Sequence, residues 1–233
     1  MSRQSGKFEP IVYGGLLIVA LGTWAFVGLA KQVVAGKTQT LDERMMLMLR
    51  ADDDGGSPIG PPWMEEMGRD LSALGGYVVL SMVLLAVTGF LCLERKFRRL
   101  WFVWSSVAGG YVLVMALKSA IDRPRPDIVS HLSIFHSASF PSGHSMMSAV
   151  VYLTLGALLA ESTDKARVKF YVLSVPLVLS GLVGMSRVYV GVHYPSDVLA
   201  GWSAGLVWAT ACWMLARFLS NKGLIEAPEE QPA

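Results

Sequence analysis

Between positions 118 and 197 the chain gathers the side chains that phosphate chemistry needs. Lys118, Arg125 and Arg187 are cations, His144 and His193 are imidazoles, and Asp197 is a carboxylate four residues after His193. A lysine offers a point charge and an arginine a planar fork, a set suited to a phosphate or another tetrahedral oxyanion. Ser142 and Gly143 open an apolar run, "PSGHSMMSAVVYL", where a helix N-terminus presents free N–H groups and the positive end of its dipole to an anion. Gly143 lets the backbone come close to such a guest. Beside that pocket an imidazole held by a carboxylate is a nucleophile with its tautomer set, which describes His193 with Asp197. His144, a second imidazole, can hand a proton to the departing oxygen. Asp122, Asp127 and Asp197 are the only carboxylates near these groups, too few for a two-metal site, so no metal and no other cofactor is expected and the cations carry the charge stabilisation.

Each group also has a plain explanation. A lone Lys118 or Arg187 at the end of an apolar run snorkels to lipid headgroups. Ser142 serves as a helix N-cap, a role compatible with anion binding. A His193–Asp197 pair four apart can be only a surface contact. His131 and His136 have no partner at helpful spacing and are left as loop residues. The plain readings strain when taken together, because half of the four histidines and three cations of a 233-residue chain fall at the ends of apolar runs, and ionisable groups there are costly.

The elements that must position them are membrane helices. The chain is 53% hydrophobic and 16% charged, with a mean hydropathy of +0.46, which excludes an ordinary soluble domain. A net charge of +2 with dispersed Lys and Arg does not point to nucleic acid. Runs near 11–30, 73–93, 100–117, 144–160, 168–186 and 198–219 are each about the length that crosses the hydrocarbon core. They lack the alternation of barrel strands, so they must be helices. The expected fold is all-α, a six-transmembrane-helix bundle forming one domain over 1–233, with a disordered tail from about 224. The first run is read as a span and not as a cleaved signal, since no clear small-x-small site follows it.

Arg3, Lys7, Arg95, Lys96, Arg98, Arg99, Lys165, Arg167, Lys169, Arg217 and Lys222 collect on one side of that bundle. The positive-inside rule makes that side cytoplasmic, both termini included, and puts the site residues on the outer face. In the first outer loop, 31–72, Thr40 and Glu43 have capping-box spacing before the Met/Leu-rich "LDERMMLMLR", and a second helix begins near Trp63. These are expected as short interfacial helices. Cys92 and Cys212 lie inside apolar runs and read as small buried hydrophobes.

"KSAIDRPRP" (Lys118 to Pro126), "PSGH" (Pro141 to His144) and "SRVYVGVHYPSD" (Ser186 to Asp197) together resemble the three signature motifs of the type 2 phosphatidic acid phosphatase superfamily, in its membrane-bound bacterial branch. The resemblance spans residues 118–197, with no departure at a signature position. It implies metal-independent dephosphorylation through a phosphohistidine. By it His193 attacks phosphorus, Asp197 orients His193, His144 protonates the leaving group, and Lys118, Arg125, Ser142, Gly143 and Arg187 hold the phosphate. Arg123 falls outside the strict signature and is assigned an accessory part. The implied partners are the bilayer and a lipid phosphate: undecaprenyl diphosphate, phosphatidylglycerol phosphate, phosphatidate or a lipid A phosphate. The implied location is the bacterial inner membrane with a periplasmic site. Two alternatives stay open, transfer of the phosphate to another lipid and a binder or flippase that only grips the headgroup. Oligomeric state is left open.

Overall fold

The computed structural model describes residues 10–51, 56–129 and 137–221, and these are helical apart from loops and one isolated bridge between Arg50 and Pro58. The helices are α1 (Pro10–Val34), α2 (Gln39–Leu47), α3 (Pro62–Ala73), α4 (Tyr77–Leu93), α5 (Phe97–Ala120), α6 (Gly143–Glu161), α7 (Ala166–Tyr189) and α8 (Pro195–Asn221). The expected disordered tail, His131, His136 and the basic residues Arg3, Lys7 and Lys222 lie outside the described residues.

All six expected apolar runs become helices, because backbone groups in hydrocarbon must be satisfied within their own segment. Five of them, α1 and α5 to α8, are long and apolar enough to cross a membrane alone. The second differs: α4 has only 17 residues and reaches a spanning length only together with α3, from which it is bent by 47°. The bend falls at Leu74–Gly76. A Cβ on Gly75 would stand 2.4 Å from Val183 Cγ1 and 3.2 Å from the His144 carbonyl, so a glycine there lets the chain turn directly against α6 and α7.

α6 is the centre of the bundle, packed on α5, α7 and α8, while α1 lies along α8 and α3 against α7. The contact of α6 with α8 is made by Gly201 and Gly205, one turn apart on the same face of α8. A Cβ on Gly201 would fall 2.7 Å from the Ser142 carbonyl oxygen, and one on Gly205 2.7 Å from the Met146 carbonyl oxygen. This is the small-xxx-small pattern that lets membrane helices approach closely. Gly201→Ala is expected to destabilise the protein by about 1–3 kcal/mol through overpacking and to lower turnover as well, because the displaced atoms belong to the first turn of α6. Thermal melting and turnover of the variant in detergent check both.

The long connection between α1 and α4 departs from expectation in one respect. The Thr40–Glu43 capping box does not form: α2 begins at Gln39 after Thr38, Thr38 makes no side-chain cap, and Glu43 instead accepts a 2.6 Å hydrogen bond from Gln39. α2 also turns Asp42 and Met46 inward, both almost fully buried. Cys92 and Cys212 are free thiols, and Cys92 is exposed on α4 instead of buried.

Candidate active site

Successive helices from α5 onward run in alternate directions. The end of α5, the start of α6, the end of α7 and the start of α8 therefore meet at one end of the bundle. Lys118 lies in the last turn of α5, Arg187 in the last turn of α7, and Asp197 in the first turn of α8. Ser142 is the N-cap of α6, its hydroxyl accepting from Ser145 N. Its own N–H donates to the Asp197 carbonyl at 2.9 Å, so the starts of α6 and α8 are tied together.

His193 sits between α7 and α8, 1% exposed, with Asp197 at 0%. The two faces of its ring meet different partners. Nδ1 lies 3.5 Å from Asp197 Oδ2 and 3.3 Å from Ser139 Oγ, while Nε2 lies 3.4 Å from Arg125 Nη1. Asp197 is surrounded by donors: Oδ2 accepts from Ser139 Oγ at 2.5 Å and from Tyr194 N at 3.0 Å, and Oδ1 accepts from Arg123 Nη1 at 2.8 Å. A carboxylate so held accepts the Nδ1 proton and leaves the Nε2 lone pair facing the cations.

Arg125 is fixed by its Nε donating to Ser137 O at 2.9 Å and its Nη1 to Val192 O at 2.9 Å. Lys118 donates to Ala138 O, and its Cε lies 3.6 Å from where a Cβ on Gly143 would stand. Arg187, 2% exposed, donates to Ser72 Oγ on α3. His144 is close enough to Arg187, His193, Arg125 and Lys118 for each to act on its charge. All eight residues assigned from the motifs are therefore brought to one locus. Arg123 is placed on the far side of Asp197, away from the Nε2 face.

Burial drives the His193 pKa down to about 3, with Asp197 opposing the shift. In the unfolded chain the same ring takes up a proton near pH 6.5. Between these values the unfolded state binds the extra proton, so stability falls as the pH drops from about 6.5 towards 3, by at most about 1.4 kcal/mol per pH unit from this group. Thermal melts of wild type and His193→Gln across that range are expected to converge as the pH falls.

Ser139, Ser72 and Tyr77 were not legible as site residues. Ser139 stands three positions before Ser142 with nothing but proximity to mark it. Ser72 and Tyr77 come from the α3–α4 bend, and the Tyr77 ring lies 6.2 Å from that of His144. Next to Tyr77 a groove of about 270 Å³ opens between α4 and α5, floored by Met147 and Val151 of α6. A larger apolar groove of about 620 Å³, between α2–α3 and α7–α8, is lined by five methionines, Met45, Met48, Met64, Met67 and Met185, and by no charged side chain. None of the eight site residues lines it, so the chemistry does not reside there.

Comparison with known proteins bears on the family and the overall fold. Residues 99–220 match the PAP2 superfamily. The chain is 34% identical to phosphatidylglycerophosphatase B of Bacillus subtilis over 64% of its length and 73% of that protein's. It is 30% identical to a lipid A 1-phosphatase of Rhizobium johnstonii over 71% of its length and 73% of that protein's. Its fold is similar to the crystal structure of a transmembrane PAP2 type phosphatidylglycerolphosphate phosphatase from Bacillus subtilis, with a TM-score of 0.77 and 28% identity over 88% of this chain and 96% of that one.

Proposed function

We propose, from the premise that the chain belongs to the PAP2 superfamily and is a phosphatase of membrane lipid phosphates, that it works through a phosphohistidine, without a metal, on the outer face of a bacterial inner membrane. The observation that carries this reading is the division of labour on one ring, with Nδ1 of His193 against Asp197 and Nε2 against Arg125. The Nε2 lone pair attacks phosphorus, the bond from phosphorus to the lipid oxygen breaks, and His144 gives that oxygen its proton. Neutral His144 then takes a proton from water as the water oxygen attacks phosphorus, the N–P bond breaks, and inorganic phosphate leaves. Lys118, Arg125 and Arg187, with the N–H groups at the start of α6, carry the negative charge that spreads over the equatorial oxygens. Among the described residues no three His, Cys, Asp or Glu side chains gather to hold a metal ion.

The groove beside Tyr77 suits the hydrocarbon tail. Tyr77, whose ring lies 6.2 Å from that of His144, is part of its wall, and the groove lies between α4 and α5, so a headgroup at His144 could have its chain beside these helices in the bilayer. The basic links Arg95–Arg99 and Lys165–Lys169 lie at the opposite end of the helices from the site, which supports an outward-facing pocket. Phosphatidylglycerol phosphate, lipid A phosphates, phosphatidate and undecaprenyl diphosphate all present the required phosphate at that depth.

The test is phosphate release by purified protein in detergent with EDTA, across those four substrates. Turnover is expected to be unchanged by EDTA and blocked by vanadate, which imitates five-coordinate phosphorus. A requirement for added magnesium would overturn the metal-free scheme.

A further inference from the structure

We infer that Asp42, on α2 in the connection after the first span, is a positioning residue for the His193–Asp197 pair, an assignment that rests on His193 being the nucleophile. Asp42 is 2% exposed. Its Oδ1 accepts from the Ser196 backbone N–H at 2.9 Å. Its Oδ2 accepts from Ser196 Oγ at 2.5 Å and from Arg123 Nη2 at 2.9 Å. Arg123 in turn donates through Nη1 to Ser196 Oγ and to Asp197 Oδ1, both at 2.8 Å. One carboxylate from a distant helix thereby holds the turn that carries Asp197, both directly at Ser196 and through the guanidinium.

The same helix grips that turn a second time. Gln39 accepts from Arg123 Nη2 at 3.2 Å and donates to the Tyr194 hydroxyl at 3.0 Å. The Arg123 guanidinium lies 4.0 Å over the Tyr194 ring, a cation–π contact. Residues 194 to 197 are thus clamped between α2 and Arg123.

Charge counts as well as geometry. Asp42 and Asp197 flank the cation Arg123, which leaves this group of three with one net negative charge on the Nδ1 side of His193, opposite the phosphate-binding cations. The imidazole becomes cationic as Nε2 takes the phosphoryl group, and a preorganised negative charge stabilises that state. Without Asp42, Arg123 would cancel the charge of Asp197 and would be free to pull it away from Nδ1.

A purely structural role for α2 predicts something different. Met46, on the same helix and 0% exposed, packs with Val129 and Tyr194, so Met46→Ala weakens α2 without touching the carboxylate. Full-length Asp42→Asn, Met46→Ala and His193→Gln proteins are compared in detergent on the best of the four substrates named above. Asp42→Asn is expected to lower kcat about 10- to 100-fold with KM within about threefold, the scale seen when a supporting group lets reacting atoms drift. Met46→Ala, at a similar loss of Tm, is expected to keep kcat within about threefold. A wild-type kcat for Asp42→Asn, or equal kcat losses in Asp42→Asn and Met46→Ala, overturns the assignment. If Asp42→Asn does not fold, Gln39→Ala replaces it, with a several-fold fall in kcat expected and an unchanged kcat counting against the clamp. An active His193→Gln enzyme would instead defeat the nucleophile reading. An inactive one alongside a normal Asp42→Asn defeats only the role of Asp42.

Discussion

A His193→Gln enzyme is expected to lose about 10⁴- to 10⁶-fold in kcat, the range that removal of a covalent catalyst produces in other nucleophilic enzymes. Glutamine fills much of the volume and can still meet Ser139 and Asp197 through its amide, so the fully buried position need not collapse. What it lacks is a nitrogen lone pair able to displace the lipid oxygen. The cations and the start of α6 remain in place, and vanadate is therefore expected to bind the variant still, weakened by loss of the Nε2 contact. Rapid mixing with labelled substrate supplies the second readout: wild type gives an acid-labile, alkali-stable phosphoenzyme, and the variant gives none. Phosphate release by His193→Gln at the original rate would show that the pocket only binds the headgroup and that the release has another source.

Asp197→Asn is expected to cost about 10³- to 10⁴-fold in kcat while leaving the overall shape of the site intact, by the tautomer argument that applies to any carboxylate–imidazole pair. Besides the His193 ring, this carboxylate meets three donors: Arg123 on Oδ1, and Ser139 and Tyr194 N on Oδ2. An asparagine must aim an NH₂ at one side. Turned towards Arg123 and Ser196 it faces a cation; turned towards His193 it donates to Nδ1, places the ring proton on Nε2 and blocks the nucleophilic lone pair. Either choice slows phosphoenzyme formation. Vanadate binding and Tm, measured beside kcat, separate this from unfolding, since the variant keeps the phosphate cradle. A variant within about tenfold of wild type would mean that Asp197 does not set the tautomer of His193.

The chain alone determined much of this molecule, and for a local reason. Whether a run of about 20 residues can cross a membrane depends on that run's own composition, so the six helices could be placed from the apolar stretches. Signature residues with fixed spacing on short turns, such as Ser142 to His144 and His193 to Asp197, carry their geometry with them. The N-cap role of Ser142 follows from its place before an apolar helix and is what the structure has.

Tertiary packing decided the rest. Nothing near position 42 marks an aspartate in "TLDER" as the partner of Arg123, because the two are joined only after α2 folds back over the start of α8. The capping box at Thr40 failed for the same reason: Glu43 had a better partner in Gln39, whose other contacts lie on Arg123 and Tyr194. Arg123 and Arg125 are two residues apart on a proline-bounded, non-helical segment. Their spacing does not tell them apart, yet one faces the back of Asp197 and the other the Nε2 side of His193. The bend before α4, which brings Ser72 and Tyr77 to the pocket, depends on what Gly75 meets on α6 and α7. Composition and spacing are properties of a segment and can be read along it, whereas a catalytic pocket is a set of distances between segments, and those exist only once close contacts such as Gly201 against Ser142 have brought the helices together.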